Sequence, residues 1–132
     1  MNALSVKQPW AWAIIYAGKP VENRDWRYPP AYRGPLIIHA SKTFDKDGYL
    51  WICRNADLLG LNPDDIPIQL AYPCGGIVGQ VDLVDCVTSH RSPWFSGPLG
   101  FVLANAKPMK FIPYSGKLGI FNIPDEILIG GL

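Results

Sequence analysis

Ile77-Val78-Gly79-Gln80-Val81-Asp82-Leu83-Val84-Asp85-Cys86-Val87 is the stretch on which the fold turns. Val78, Val81, Leu83 and Val84 stand against polar Gln80, Asp82 and Asp85, the alternation of a strand with one buried face. The slip of phase near Leu83 marks a bulge. Tyr72-Pro73-Cys74-Gly75-Gly76 breaks the chain just ahead of it. Working outward, Leu36 to Ser41 is an apolar run suited to a strand covered on both faces, and Leu99 to Ala104, Lys110 to Pro113 and Leu118 to Ile123 read as later strands. Leu4 to Lys7 alternates as a short first strand. After it, Gln8 to Gly18 carries Pro9 at the first helical position and Gly18 past the end, which predicts a short helix, apolar nearly all round and therefore buried on the sheet. Tyr49, Leu50, Cys53, Ala56 and Leu59 recur at helical spacing between Phe44 and Gly60, and Asn62 caps a single turn after them. About six short strands with Gly/Pro turns and two or more α-helices define an α+β class, a small β-barrel with helical insertions.

With 132 residues the chain is one domain, 1–132, long enough to bury a core without staples. The longest strongly apolar run, Ala11 to Ala17, falls short of the roughly 18 residues a membrane helix needs. Cys53, Cys74 and Cys86 are odd in number and widely spaced, and only His39 and His90 accompany them. Neither a disulfide framework nor a metal site is expected, no cofactor is indicated, and a reducing cytoplasm is the expected location. Net charge is only +1, which disfavours tight binding to long duplexes. Its distribution is more informative. Residues 1–47 carry seven Lys/Arg against four Asp/Glu, residues 48–90 one against five, and residues 91–132 four against two. Two basic outer segments suit a phosphate-accepting cleft built where they meet, with the acidic middle elsewhere; scattered surface charge is the plainer alternative.

Three signals then recur in a fixed order: Ser5-x-x-Gln8-Pro9-Trp10-Ala11, Gly18-Lys19-x-x-Glu22-x-Arg24, and Ile38-His39-Ala40-Ser41-Lys42. With Gly76-x-x-Gly79-x-Val81 and Gly100-Phe101-Val102-Leu103, the set resembles the ASCH domain, a PUA-like barrel, over essentially the whole chain. The resemblance implies a cleft between barrel and helix that accommodates RNA, a nucleotide or a modified nucleoside. One bacterial branch of the family is an amidohydrolase of acetylated cytidine that uses a lysine, a threonine three residues later and a glutamate from a later strand. Lys19 falls on that lysine, and Glu22 stands where the threonine would be. Another branch resembles this chain in its Gln-Pro-Trp-Ala start and cleaves RNA without an obvious metal site.

The ligand-binding candidates are Gln8, Trp10, Lys19, Glu22, Arg24, Ser41, Lys42 and Trp94. Lys19 serves as a phosphate-binding point charge or a base, or simply as a cation at a helix C-terminus. Glu22 and Arg24 share one side of a strand, where they form an ion pair or turn to a base edge and a phosphate. Gln8 either caps the helix or reads an anion beside its free N–H groups. Trp10 and Trp12, two apart, face different directions, and Trp26 and Trp94 add further flat surfaces for stacking or for packing. His39 reads as a hydrogen-bonded core histidine, whereas Ser41 and Lys42 sit where a strand opens onto a cleft. The loop from Ser89 to Pro98 has the make-up of a lid or of a plain turn. Three functions remain open: a binding module for RNA or a nucleotide; a hydrolase, either a ribonuclease or a nucleoside amidohydrolase, with Lys19 and Glu22 (or Asp82 or Asp85) as catalytic groups; and a protein-protein adaptor.

Overall fold

The computed structural model describes residues 1–129. In chain order these form β1 (Asn2–Gln8), α1 (Trp10–Tyr16), β2 (Val21–Arg24), β3 (Gly34–Phe44), α2 (Lys46–Arg54), β4 (Gly76–Val87), β5 (Leu99–Pro113), β6 (Ile120–Asn122) and α3 (Asp125–Ile129). Two single 3-10 turns, Pro63–Asp65 and Gln69–Ala71, lie between α2 and β4, and the first is capped by the Asn62 side chain as its sequence predicts.

The six strands make one sheet in the order β2-β5-β4-β3-β1-β6, all antiparallel except the parallel β1–β3 pair. The α+β class stands, but the sheet does not close into a barrel, because β2 and β6 remain at its two ends. It is nevertheless strongly curled. In a flat sheet β2 and β1 would lie about 19 Å apart, four strand spacings of about 4.8 Å. Yet Arg24 on β2 donates from Nη2 to the Ser5 carbonyl on β1 at 2.8 Å. Curling brings both ends of the sheet to one hollow, and the site is built there.

Inside the curl, Leu4, Val6, Leu36, Ile38, Val81, Leu83 and Phe101 pack with Ala11, Ile14 and Ile15 of α1. The helix is shorter than predicted, with Pro9 at its N-cap position, and Tyr16 breaks the all-round burial by facing solvent. It sits close to the sheet because Gly79 has no side chain. A Cβ there would come within 2.6 Å of the Ile15 side chain and the Lys107 carbonyl. The bulge expected near Leu83 is present as a register shift between Leu83 and Asp85.

Two expectations need correction. Leu99 to Ala104 and Lys110 to Pro113 are a single strand, because the polar residues between them pair with β4 through the backbone, Gln80 opposite Lys107 and Gly79 opposite Pro108. β2 pairs only with residues 99–102 of β5, so the rest of β5 is a sheet edge, where a proline is tolerated. The helical spacing up to Gly60 overshoots as well, since α2 ends at Arg54 and turns follow it. Among the described residues no helix is long and apolar enough to cross a membrane.

Candidate functional site

Strand periodicity decides what faces the hollow. Leu4 and Val6 of β1 point into the core, so Ser5 and Lys7 point the other way; His39, Ser41 and Thr43 share one face of β3. The parallel register sets Ser5 beside His39. Facing them are Glu22 and Arg24 of β2 and the segment that follows, Asp25 to Tyr28. The segment 115–119 closes the third side, giving a cleft of about 1420 Å³. Every lining residue comes from 5–43 or 97–119, and none from the acidic middle of the chain. Lys7, Arg24, Arg27, Lys42 and Lys117 stand against Glu22 and Asp25, an excess of three positive charges in a concave surface.

The predicted residues part into two groups. Glu22, Arg24, Trp10, Ser41 and Lys42 line the cleft, whereas Gln8, Lys19 and Trp94 do not. Lys19 lies behind the lining. Gly18, at φ +72°, turns the chain so that the Lys19 ammonium folds back, donating to the Val21 carbonyl at 2.7 Å and to Glu22 Oε1 at 3.0 Å. The Trp10 ring stands 5.3 Å from that ammonium. Glu22 uses its other oxygen on Arg24, 3.1 Å away, so the two cations share one carboxylate. The Lys19 side chain is 1% exposed and that of Glu22 9%, so this is a buried ion pair rather than a free cation awaiting a phosphate.

Gln8 is fully engaged in structure. Its Oε1 accepts the Trp12 N–H at 2.8 Å, satisfying a free donor of the first turn of α1, and its Nε2 donates to the Pro73 carbonyl at 3.0 Å. Trp10 and Trp12 do diverge. Trp12 packs on Tyr72 and lines a separate apolar hollow with Ile15 and Met109. Trp10 faces the cleft, donates its indole N–H to Asp45 Oδ2 at 2.8 Å, and is backed by buried Trp94, ring centroids 6.4 Å apart. Trp26 forms a second aromatic wall, edge-on to Phe101 and 5.9 Å from the Arg24 guanidinium carbon. Asp45 also caps α2 by accepting the Gly48 N–H. Burial works to raise its pKa, but the hydrogen bonds from Gly48 and Trp10 and the charge of Lys7 outweigh it and hold the carboxyl below its ordinary value.

Ser5, which opens the first motif, was not among the ligand candidates, and Lys7, Asn23, Arg27 and the 115–119 segment were not singled out at all; period-2 spacing on β1 and β3 was the available signal. Asn23 ties the 89–98 loop to β2, donating to the Trp94 carbonyl and accepting from the Ser96 and Gly97 N–H groups. Only Gly97 of that loop reaches the cleft. His39 is buried and hydrogen-bonded, as a core histidine should be, yet it also floors the cleft. Its Nε2 lies 2.6 Å from the Tyr114 carbonyl and its Nδ1 3.0 Å from Ser5 Oγ. Among the described residues no three His, Cys, Asp or Glu side chains gather as metal ligands.

A family model described as the ASCH domain matches residues 4–112. The human protein Activating signal cointegrator 1 is 32% identical over 135 residues, an alignment covering 94% of this chain and 22% of that protein. Its mouse counterpart is 33% identical over 88 residues, 67% of this chain and 15% of that protein. The chain therefore spans less than a quarter of the length of these relatives. The crystal structure of ASCH from Zymomonas mobilis superposes with a TM-score of 0.56 at 14% identity, covering 97% of this chain and 90% of that one. A mutant of the same protein gives 0.59 at 15%, covering 98% and 94%. At such identities the likeness is one of fold.

Proposed function

Since the chain belongs to the ASCH domain family, we propose that it is a binding module for single-stranded RNA or a nucleotide, with the curled cleft taking a base or modified nucleoside. The observation that carries this reading is the composition of the cleft wall: five cations against two carboxylates, with the indole rings of Trp10 and Trp26 among them. Stacking on an aromatic face is worth about 1–3 kcal/mol per base and tolerates any base, while cations track the phosphates. Lys42, Lys7, Arg27 and Lys117 are the phosphate-binding groups. Arg24, held by Glu22 and the Ser5 carbonyl, is the oriented donor for a base edge or phosphate, and Ser41 adds a hydroxyl at the rim. Lys19, Gln8 and Trp94 act from behind: Lys19 fixes Glu22, Gln8 fixes the start of α1, and Trp94 supports Trp10.

A single-stranded RNA of six nucleotides, titrated by fluorescence anisotropy at several salt concentrations, tests this. Replacing Lys7, Lys42 and Lys117 together by Ala is expected to weaken binding at least tenfold at low salt. It should also flatten the slope of log affinity against log salt by about 0.7 for each phosphate that the variant no longer neutralises. Undiminished affinity of the triple variant, or no saturable binding by the wild type at low salt, would count against the module.

A further inference from the structure

Ser5 and His39 hold a relation that binding does not require. A backbone carbonyl only accepts, so the Tyr114 carbonyl 2.6 Å from Nε2 requires the proton on that nitrogen. In the neutral ring Nδ1 is then a bare lone pair, and the Ser5 hydroxyl 3.0 Å away donates into it. The result is a hydroxyl whose proton is aimed at an imidazole that is itself oriented by a third group, the arrangement that makes a serine nucleophilic. Ser5 is half-buried and His39 beneath it is 1% exposed. Ser5 lines the cleft, and the segment that covers it places Gly116 over the pair, where a Cβ would come 2.9 Å from Ser5 Oγ and 2.7 Å from His39 Cε1. Arg24 is anchored on the carbonyl of Ser5 itself, and its buried Nε has no partner, so a cationic donor with spare capacity belongs to the same few ångströms.

We propose that Ser5 and His39 are the nucleophile and general base of an acyl-transfer site that hydrolyses a carboxylic ester on a ribose hydroxyl. The ribose part of this statement rests on the nucleotide-binding reading of the cleft; the serine chemistry does not. Ser5 Oγ attacks the ester carbonyl carbon while its proton passes to His39 Nδ1. The intermediate collapses by breaking the bond to the ribose oxygen, which leaves with the proton from Nδ1. Water then attacks the acyl-Ser5 carbon, giving its proton to Nδ1, and the carbon–Oγ bond breaks as Oγ is reprotonated. The sum is ester and water to acid and alcohol, with no other reactant. The same geometry disfavours His39 as a base for the 2′-hydroxyl of RNA, because the one free lone pair of the ring is already taken by Ser5.

The test uses a fluorophosphonate probe, which needs an activated serine and no nucleotide, read by intact mass and peptide mapping. The wild type is expected to take one adduct, on Ser5. Labelling should fall at least a hundredfold in Ser5→Ala and His39→Gln, and at least tenfold in Gly116→Ala, which alters neither reacting residue. A six-nucleotide RNA should protect the wild type from the probe. Circular dichroism and thermal melts establish that each variant is folded; should His39→Gln melt early, Gly116→Ala and Ser5→Ala carry the comparison. Absence of an adduct on Ser5 in folded wild type, or labelling indifferent to His39→Gln, overturns the proposal while leaving RNA binding as measured by anisotropy. An adduct on Ser5 that no RNA protects overturns the ribose ester as substrate.

Discussion

The two walls of the cleft solve opposite problems with the same kinds of side chain. On the β2 wall charge is engaged internally: Lys19 and Arg24 share Glu22, the first is sealed behind the lining, and the second is tied to the Ser5 carbonyl. On the β1–β3 wall the polar groups keep capacity in reserve. Lys7 and Lys42 are exposed with no ion-pair partner among the described residues, and the hydroxyl of half-buried Ser5 makes one side-chain hydrogen bond, to His39. The contrast teaches that a charged residue in a recognisable motif can serve the fold first, while strand pairing brings a serine and a histidine 34 positions apart into contact on the cleft wall.

Replacing Lys19 by Met should give the largest effect, and on stability. Breaking a buried pair costs about 3–5 kcal/mol, and here about 3, since Arg24 still neutralises Glu22. Denaturant melts should show this, with any loss of RNA affinity following the loss of folded protein. A stable Lys19→Met that fails to bind RNA would erase the difference between the walls.

Asp45 gives an intermediate effect with a pH signature. Asp45→Ala removes the α2 cap and the Trp10 anchor together and should cost about 1–2 kcal/mol. Because the folded carboxyl is held below its ordinary value, its charge contributes stability that is fully present above about pH 4, the unfolded value, and is lost as pH falls through the folded value. Stability measured for wild type and Asp45→Asn should therefore converge on acidification below about pH 4. A gap that stays constant or widens there would remove the charge from the account.

Lys42→Ala should be the smallest on stability, within about 0.5 kcal/mol, since its side chain is exposed. A marked drop in melting temperature would mean that this wall, too, commits its charge to the fold.

Much of this was legible in the sequence. Pro9 and Gly18 bracket α1, the phase slip at Leu83 locates the register shift in β4, and the basic–acidic–basic order of the chain foreshadows which segments line the hollow. Glu22 and Arg24 pair as their spacing on one strand allows. What stayed hidden has a common cause, in that it depends on pairing rather than pattern. The middle of β5 is held by backbone hydrogen bonds to β4 and buries little, so no apolar alternation announces it. Ser5 meets His39 only through the parallel register of β1 and β3, and Arg24 meets Ser5 only because the sheet curls across four strand spacings. Lys19 looked like a ligand-binding residue because its helix-exit position is visible in the sequence, whereas the backfolding that buries it is not.

The tryptophan indole N–H resonances test the cleft reading most directly, because the helix carries its own control. Titrating a six-nucleotide RNA into labelled protein should shift the Trp26 and Trp10 signals, both in the cleft wall, with one shared saturation curve, and leave Trp12, in the separate apolar hollow, unmoved. Saturable shifts at Trp12 with Trp10 and Trp26 still would place the ligand on the other side of α1 and contradict the account.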